Sequence, residues 1–414
     1  MQRTLLVLSS LLFLSTFLAA QTRVGLVAEY HFDGNYGDFT GNSANTGVPS
    51  GLPEFACGVD GSALRLDGGN DLVRIPGGNS NNVNREFDTE DFTVAFYFKP
   101  IGQNGIQYLV SKRDTACGLE QYFYIRYSPA TRTVSAYLRE GNQVVNINAP
   151  LRNEQCWQHL GLVRENRRVL LYVNGLLAGN QGTTSRVNIA NTGDLLIGSS
   201  NCLTTNETAF VGLIEDFRVY NRALAQEEVD GVFQRPDQIL TPDTRIFLGE
   251  SVDIVVNSSC GVAYNWSPAA GVMSPDEQNP TIMPVMAGPQ TFRVRITDAE
   301  SSCVAVDSIR FQVIDPATLA CDAVYLPRAF TPNGDGPAVN ETFGISNPYA
   351  VPELISLEIF SRWGGRVFST ADAFGRWDGT FEGEMVNPGT FLWRVRFMCE
   401  GEERFDSGSV TLIR

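Results

Sequence analysis

Histidine is nearly missing from this 414-residue chain, with only His31 and His159 present. So few imidazoles leave little room for histidine-based metal sites or a Ser-His-Asp arrangement. No G-x-S-x-G, H-E-x-x-H or Cys/His pairing occurs, so the common hydrolase and metalloprotease signatures are missing as well. Lysine occurs only at Lys99 and Lys112. Lys plus Arg is 31 against 46 for Asp plus Glu, a formal net charge of −15. Such a chain repels phosphate backbones, so nucleic acid is not an expected partner. There is no C-x-x-C pair, which argues against a zinc ribbon or a thioredoxin-like centre. Beyond the N-terminus no apolar run is long enough to span a membrane, and there is neither an internal repeat nor a low-complexity linker.

What is present begins with an export signal. Arg3 supplies positive charge, Leu5 to Leu18 is a mostly apolar stretch, and Ala19-Ala20 offers small residues for cleavage. Residues 1–20 therefore read as a signal peptide, with the mature chain starting at Gln21. In an oxidising compartment the eight cysteines imply up to four disulfides.

The rest is patterned as β-structure. Short alternating runs such as Phe92–Lys99, Tyr122–Ser128, Val134–Arg139, Trp157–Arg164, Val169–Asn174 and Gly212–Tyr220 are separated by Gly, Asn, Asp and Pro clusters. Asn174-Gly175 signals a two-residue hairpin, and Ala225–Val232 one short helix. Breaks near Arg235-Pro236 and Asp315-Pro316 divide the mature chain into segments 21–235, 236–316 and 317–414. The expected fold class is all-β: a jelly roll, then two smaller β-sandwiches.

The first segment carries VAEYHF at Val27–Phe32, DFTGNSANTG from Asp38 to Gly47, GSALRLDGGNDLVRI at Gly61–Ile75, LYVNG at Leu171–Gly175 and GLIEDFRVYNRAL at Gly212–Leu224. In this order they resemble the laminin-G-like, concanavalin A-like jelly roll. Alternation independently assigns faces. Phe123, Ile125 and Tyr127 share a core face, as do Val134, Ala136 and Leu138. The opposite face carries Tyr122, Tyr124 and Arg126, then Tyr137 and Arg139, then Asn146 and Asn148. Rings that stack on sugar C–H faces, beside amides and guanidinium groups that bond hydroxyls, make these seven the candidate ligand site. The plainer alternative is that the tyrosines cover the sheet. The resemblance implies calcium held by the Asp38-x-x-Gly41-Asn42 loop with acidic residues near the last strand, here Asp38, Asn42, Glu215 and Asp216; an Asx-rich turn is the alternative. Glu215 and Asp216 are adjacent on a strand and expected on opposite faces, which does not suit the paired carboxylates of a glycanase. No enzyme activity is expected.

Three strand traversals between Cys117 and Cys156 put them at opposite ends of a sheet, about 17–20 Å apart, whereas a disulfide needs Cα atoms within about 7 Å. Cys117–Cys202 and Cys57–Cys156 are the expected pairs. The middle segment, with Tyr264-Asn265-Trp266-Ser267-Pro268 and TFRVRITD at Thr291–Asp298, resembles a PKD-like or immunoglobulin-like spacer. There Cys260–Cys303 is expected to bridge the two sheets, and no site chemistry is apparent. Cys321–Cys399 is expected in the last segment.

That last segment holds Leu326-Pro327-Arg328-Ala329-Phe330-Thr331-Pro332-Asn333-Gly334-Asp335-Gly336, the run Ile359 to Phe368, Trp377-Asp378-Gly379-Thr380 and Pro388-Gly389-Thr390-Phe391. It resembles the gliding-motility-associated C-terminal domain, the type B sorting domain of type IX secretion. The resemblance implies passage through the periplasm to the outer cell surface or beyond, with the secretion machinery as partner through residues 321–414. Trp363, Trp377 and Phe391 are expected in its core. The chain thus reads as an exported modular protein whose jelly roll binds carbohydrate or another surface ligand. The alternative is a structural protein whose jelly roll contacts a cell-surface protein.

Overall fold

The computed structural model describes residues 23–413 except 79–80, 88–90, 119, 153, 322 and 334–339. Residues 1–20, expected to be a signal peptide, and Gly334–Gly336 lie outside the described residues. The described residues are nearly all β, with one short α-helix among them, Gln226–Gly231.

Two facing sheets form the N-terminal jelly roll. One runs Leu176–Gly182, Arg168–Val173, Gln158–Glu165, Phe92–Pro100, Val211–Tyr220, Ser62–Asp67 and Glu54–Cys57 in spatial order, with Leu26–Tyr30 also paired to Val211–Tyr220. The other runs Gln143–Pro150, Thr133–Glu140, Gln121–Ser128, Ile106–Lys112, Leu195–Ile197, Leu72–Ile75 and Val48–Ser50. Between them lies one apolar core that takes in Phe96, Phe98, Phe123, Ile125, Tyr127, Val134, Ala136 and Leu138. Asn174 and Gly175 take φ of 51° and 76°, the left-handed pair that a tight hairpin requires.

The middle region pairs a four-stranded sheet (Thr244–Phe247, Val304–Ile314, Gly288–Asp298, Gly261–Ser267) with a three-stranded one. Trp266 is buried in its core, its indole N–H donating to the Glu277 carbonyl at 3.0 Å. The C-terminal region is built on a five-stranded sheet, Ala329–Phe330, Glu402–Leu412, Gly389–Cys399, Glu353–Phe360 and Arg366–Thr370. Trp377 and Phe391 are buried there. Trp363 is not: it is 83 % exposed, because it sits on the turn between Glu353–Phe360 and Arg366–Thr370, with Arg362 4.9 Å over its ring.

Cys117–Cys202 and Cys321–Cys399 are bonded. The other four cysteines pair across the boundary between the first two domains, Cys57 with Cys260 and Cys156 with Cys303, in place of Cys57–Cys156 and Cys260–Cys303. Sheet order gives the reason. Cys260 and Cys303 precede strands that flank Gly288–Asp298 in one sheet, so they stand two strand spacings apart, roughly 10 Å, too far for a disulfide. Cys57 lies on an edge strand four places from the strand that follows Cys156, roughly 19 Å away.

The same boundary buries Lys99, whose ammonium meets the Asp298 carboxylate at 2.5 Å and lies 4.7 Å from the centre of the Trp157 ring. Arg65 reaches Glu300 at 2.9 Å, and Ser259 donates to the Gly58 carbonyl.

Candidate functional site

The tyrosine-bearing face lies on the outside of the second jelly-roll sheet, where register fixes its rows. Tyr124 stands opposite Tyr137, and Tyr122 opposite Arg139. On the next strand pair, Arg139 is opposite Val144 and Tyr137 opposite Asn146. The rings of Tyr124 and Tyr137 are 4.9 Å apart and nearly parallel at 5°. Tyr137 also stacks with Tyr122 at 5.8 Å. Arg126 closes one end, 4.4 Å over Tyr124, and Arg113 the other, 4.3 Å over Tyr122. Ring faces are thus spent on one another and on guanidinium groups. That revises the expected chemistry: a sugar here meets hydroxyls, ring edges and guanidinium nitrogens.

Tyr108, Arg113 and Glu207 also belong to this site. Tyr108 packs against Tyr124. Glu207 accepts from Arg126 at 2.5 Å and from the Tyr108 hydroxyl at 3.2 Å. Arg113 donates to the carbonyls of Cys117 and Gly118, so the Cys117–Cys202 loop holds it over Tyr122. Alternation within Gln121–Ser128 carried no sign of these three, since they arrive from other strands and loops. Burial pushes the Tyr124 and Tyr137 hydroxyls up, and Tyr108 to about 12, which keeps them protonated donors at neutral pH. Arg139 is raised by its bond to the Tyr122 hydroxyl. Asn146 and Asn148 are exposed one strand further; the Asn148 amide oxygen accepts from Ser135 at 2.6 Å.

The four residues named for calcium are engaged elsewhere. The Asp38 carboxylate accepts from the Glu29 and Thr40 amides, the Thr40 hydroxyl and the Asn45 amide. Asn42 caps the turn Ser43–Asn45 and bonds Asn81. Glu215 accepts the Val59 and Asp60 amides. Asp216 takes φ of 51° at a bulge. Its neighbours Ile214 and Phe217 both enter the core, so Glu215 and Asp216 leave on the same outer side rather than on opposite faces. Burial pushes Glu215 up to about 8 against the pull of its two amide bonds, and burial raises Asp216 against the pull of Arg218 and His31.

Glu29, His31 and Asp216 bring ligand atoms within 4.8 Å of one another, the one such group among the described residues. Arg218 meets Glu29 at 3.0 Å and Asp216 at 2.7 Å, so a guanidinium already supplies the positive charge these carboxylates face. The donors present do not fit an added cation well.

Residues 67–230 match the concanavalin A-like lectin/glucanases superfamily, and residues 324–412 match the CHU_C type IX secretion signal domain. The chain joins a concanavalin A-like domain to a type IX secretion signal. Neither match extends over the middle region. The secretion signal directs the protein to the cell surface or the extracellular space, and among the described residues no helix is long and apolar enough to cross a membrane.

Similar solved structures include domain 4 of AbnA, a GH43 extracellular arabinanase from Geobacillus stearothermophilus, in complex with arabinotriose. It shows 20 % identity, covers 50 % of this chain and 98 % of that one, and has a TM-score of 0.40. The CBM40 of Ruminococcus gnavus IT-sialidase shows 19 % identity, with 44 % of this chain and 98 % of that one covered, at a TM-score of 0.37. No curated protein matches the chain.

Proposed function

We propose that the concanavalin A-like domain binds carbohydrate on its outer tyrosine face, and that the protein is a non-catalytic glycan-recognition protein displayed or released by type IX secretion. The observation that carries this reading is the ordered stack Arg113–Tyr122–Tyr137–Tyr124–Arg126, flanked by Arg139 and the exposed Asn146 and Asn148. It presents hydroxyl, guanidinium and amide groups in fixed positions, the functional groups that hydrogen-bond sugar hydroxyls. Glu215 and Asp216 are buried, and Glu215 is closed off by backbone amides.

A glycan array with the full secreted chain tests the reading. Residues 21–235 alone would leave Cys57 and Cys156 without their partners, so the intact chain is the right sample. Tyr137→Phe keeps the stack and removes one hydroxyl; it should weaken sugar binding about tenfold, the loss of one or two hydrogen bonds. Asn146→Ala should weaken it less. Binding unchanged in both variants would discard the tyrosine face as the sugar site. Binding to a cell-surface protein that soluble sugar fails to compete would favour a protein-contact role for the same residues.

A further inference from the structure

The middle region, which showed no site chemistry in its sequence, carries an outer sheet face on which arginines outnumber carboxylates, the acidic residues Asp243, Glu154 and Asp307 standing at its margins. Strand Gly288–Asp298 alternates strictly: Phe292, Val294 and Ile296 are buried, while Arg293 and Arg295 are exposed. Register extends this face sideways. Arg293 stands opposite Ser308 and Ser267, and Arg295 opposite Val306 and Asn265. Arg310 pairs with Thr291, and Arg245 with Gln312. Four guanidinium groups therefore project from one sheet face, in a chain of net charge −15. None of the cross-strand positions beside them is Asp or Glu.

The face runs into a cleft at the disulfide-locked boundary. That cleft, about 450 Å³, is lined by Arg293, Arg295 and Ser308 on one side and by Arg152, Glu154 and Gln155 of the jelly roll on the other. Its walls are fixed by the Cys156–Cys303 disulfide and by the Val306 amide, which donates to the Glu154 carbonyl at 2.8 Å. Asp307, at its edge, has both oxygens taken by the Ile239 and Ser308 amides. Among the described ion pairs none includes Arg152, Arg245, Arg293, Arg295 or Arg310. A second hollow on the same face, about 350 Å³, is lined by Arg245, Arg310 and Gln312 with one carboxylate, Asp243, which accepts from the Arg310 amide at 2.8 Å.

We propose that this arginine face and the cleft it enters form a second binding surface, distinct from the tyrosine face, whose ligand is an acidic polysaccharide bearing carboxylate or sulfate groups. Planar guanidinium forks pair with oxyanions bidentately. Neighbouring Ser, Thr, Asn and Gln side chains suit the hydroxyls between such charges. Alternate residues on a strand stand roughly 7 Å apart, which spreads the charges along a chain-like ligand instead of focusing them on one ion. None of the cross-strand positions beside the four arginines carries an aromatic ring to stack a base, unlike surfaces that hold single-stranded nucleic acid. Locked walls reduce the ordering cost of binding. Export to the cell surface, given by the secretion signal, brings this face to where a polysaccharide is met.

The test uses the full chain against polygalacturonate, dextran sulfate, unsubstituted dextran and a short DNA duplex at roughly physiological salt, where loose long-range attraction is screened. Binding of polygalacturonate or dextran sulfate, with weak or no binding of dextran and DNA, is expected; which acid polymer binds tells carboxylate from sulfate. Arg293→Ala with Arg295→Ala should weaken that binding by about tenfold or more, with an unchanged melting midpoint because both side chains are exposed. Arg152→Ala, on the opposite wall, should weaken it less. Tyr124→Ala with Tyr137→Ala should leave acid-polymer binding intact, so failure of the tyrosine-face reading would not be mistaken for failure of this one. The proposal is overturned if neither acid polymer binds, if dextran or DNA binds as tightly, or if the Arg293/Arg295 and Arg152 variants bind like the parent.

Discussion

Where the jelly roll meets the middle sandwich, two disulfides, a buried Lys99–Asp298 pair and the Val306-to-Glu154 backbone hydrogen bond cross the boundary. Where the middle sandwich meets the C-terminal domain, the nearby disulfide, Cys321–Cys399, stays inside the last domain, and Phe247 stacks on Tyr349 with ring centres 3.8 Å apart. The first junction makes one unit of two domains. The second attaches a secretion signal to that unit by contacts that can come apart. The middle sandwich is thus tied covalently to the jelly roll at two points.

The comparison breaks most sharply at Lys99. Lys99→Met leaves Asp298 charged and buried without its counter-ion, held only by the Glu300 amide and the Ser301 hydroxyl, and the first junction should lose about 3–5 kcal/mol in urea unfolding. Adding Asp298→Leu should recover most of that loss, since an apolar pair of similar volume is often neutral. Recovery failing would mean that packing around Trp157, and not charge, sets the cost.

Removing the Cys57–Cys260 bond by Ser replacement at both positions should cost about 2–4 kcal/mol. In the parent chain, proteolytic cleavage near Arg235 should leave two pieces that stay together on a non-reducing gel and separate after reduction. Separation without reductant would contradict the crossed pairing.

Glu215 supports the same junction indirectly. It holds the turn at Val59 and Asp60, whose neighbour Gly58 accepts from Ser259. Its folded-state pKa, about 8, lies above its ordinary 4.5. The stability this group contributes is therefore fully present below about pH 4.5 and is lost as pH rises through 8. Glu215→Gln should cost about 1–2 kcal/mol at pH 5, where one amide bond is lost, and the cost should shrink toward pH 9. A pH-independent cost would show that the carboxyl is ionised throughout.

The smallest effect is expected at the second junction. Tyr349→Ala should remove about 0.5–1.5 kcal/mol of ring contact, speed proteolysis between residues 315 and 320, and leave unfolding of the first two domains unchanged.

Alternation made much of this legible in advance. Phe123, Ile125 and Tyr127 face the core because side chains alternate on a strand, and that is local information. The type IX signal is likewise carried by contiguous motifs near residues 326–336 and 359–379. Other features depended on what a neighbouring strand delivers. Arg113, Tyr108 and Glu207 join the tyrosine site from other parts of the chain. The bulge at Asp216 reverses one face assignment through a single positive φ. Trp363 is aromatic and flanked by apolar strands, but its place on a turn exposes it. Arg293 and Arg295 were visible as an alternating pair in TFRVRITD; that they meet Arg245, Arg310 and Arg152 on one surface was not.

The sequence by itself determined the all-β class, the type IX secretion signal and the faces of regular strands such as Gln121–Ser128, because hydrophobic period and turn chemistry act over a few residues. Tertiary structure alone decided that Cys57 and Cys156 bond across the first domain boundary, that two domains are joined there, and where arginines gather. Those outcomes rest on distances between residues far apart in the chain, and distance is set by strand order in space, which no local pattern encodes.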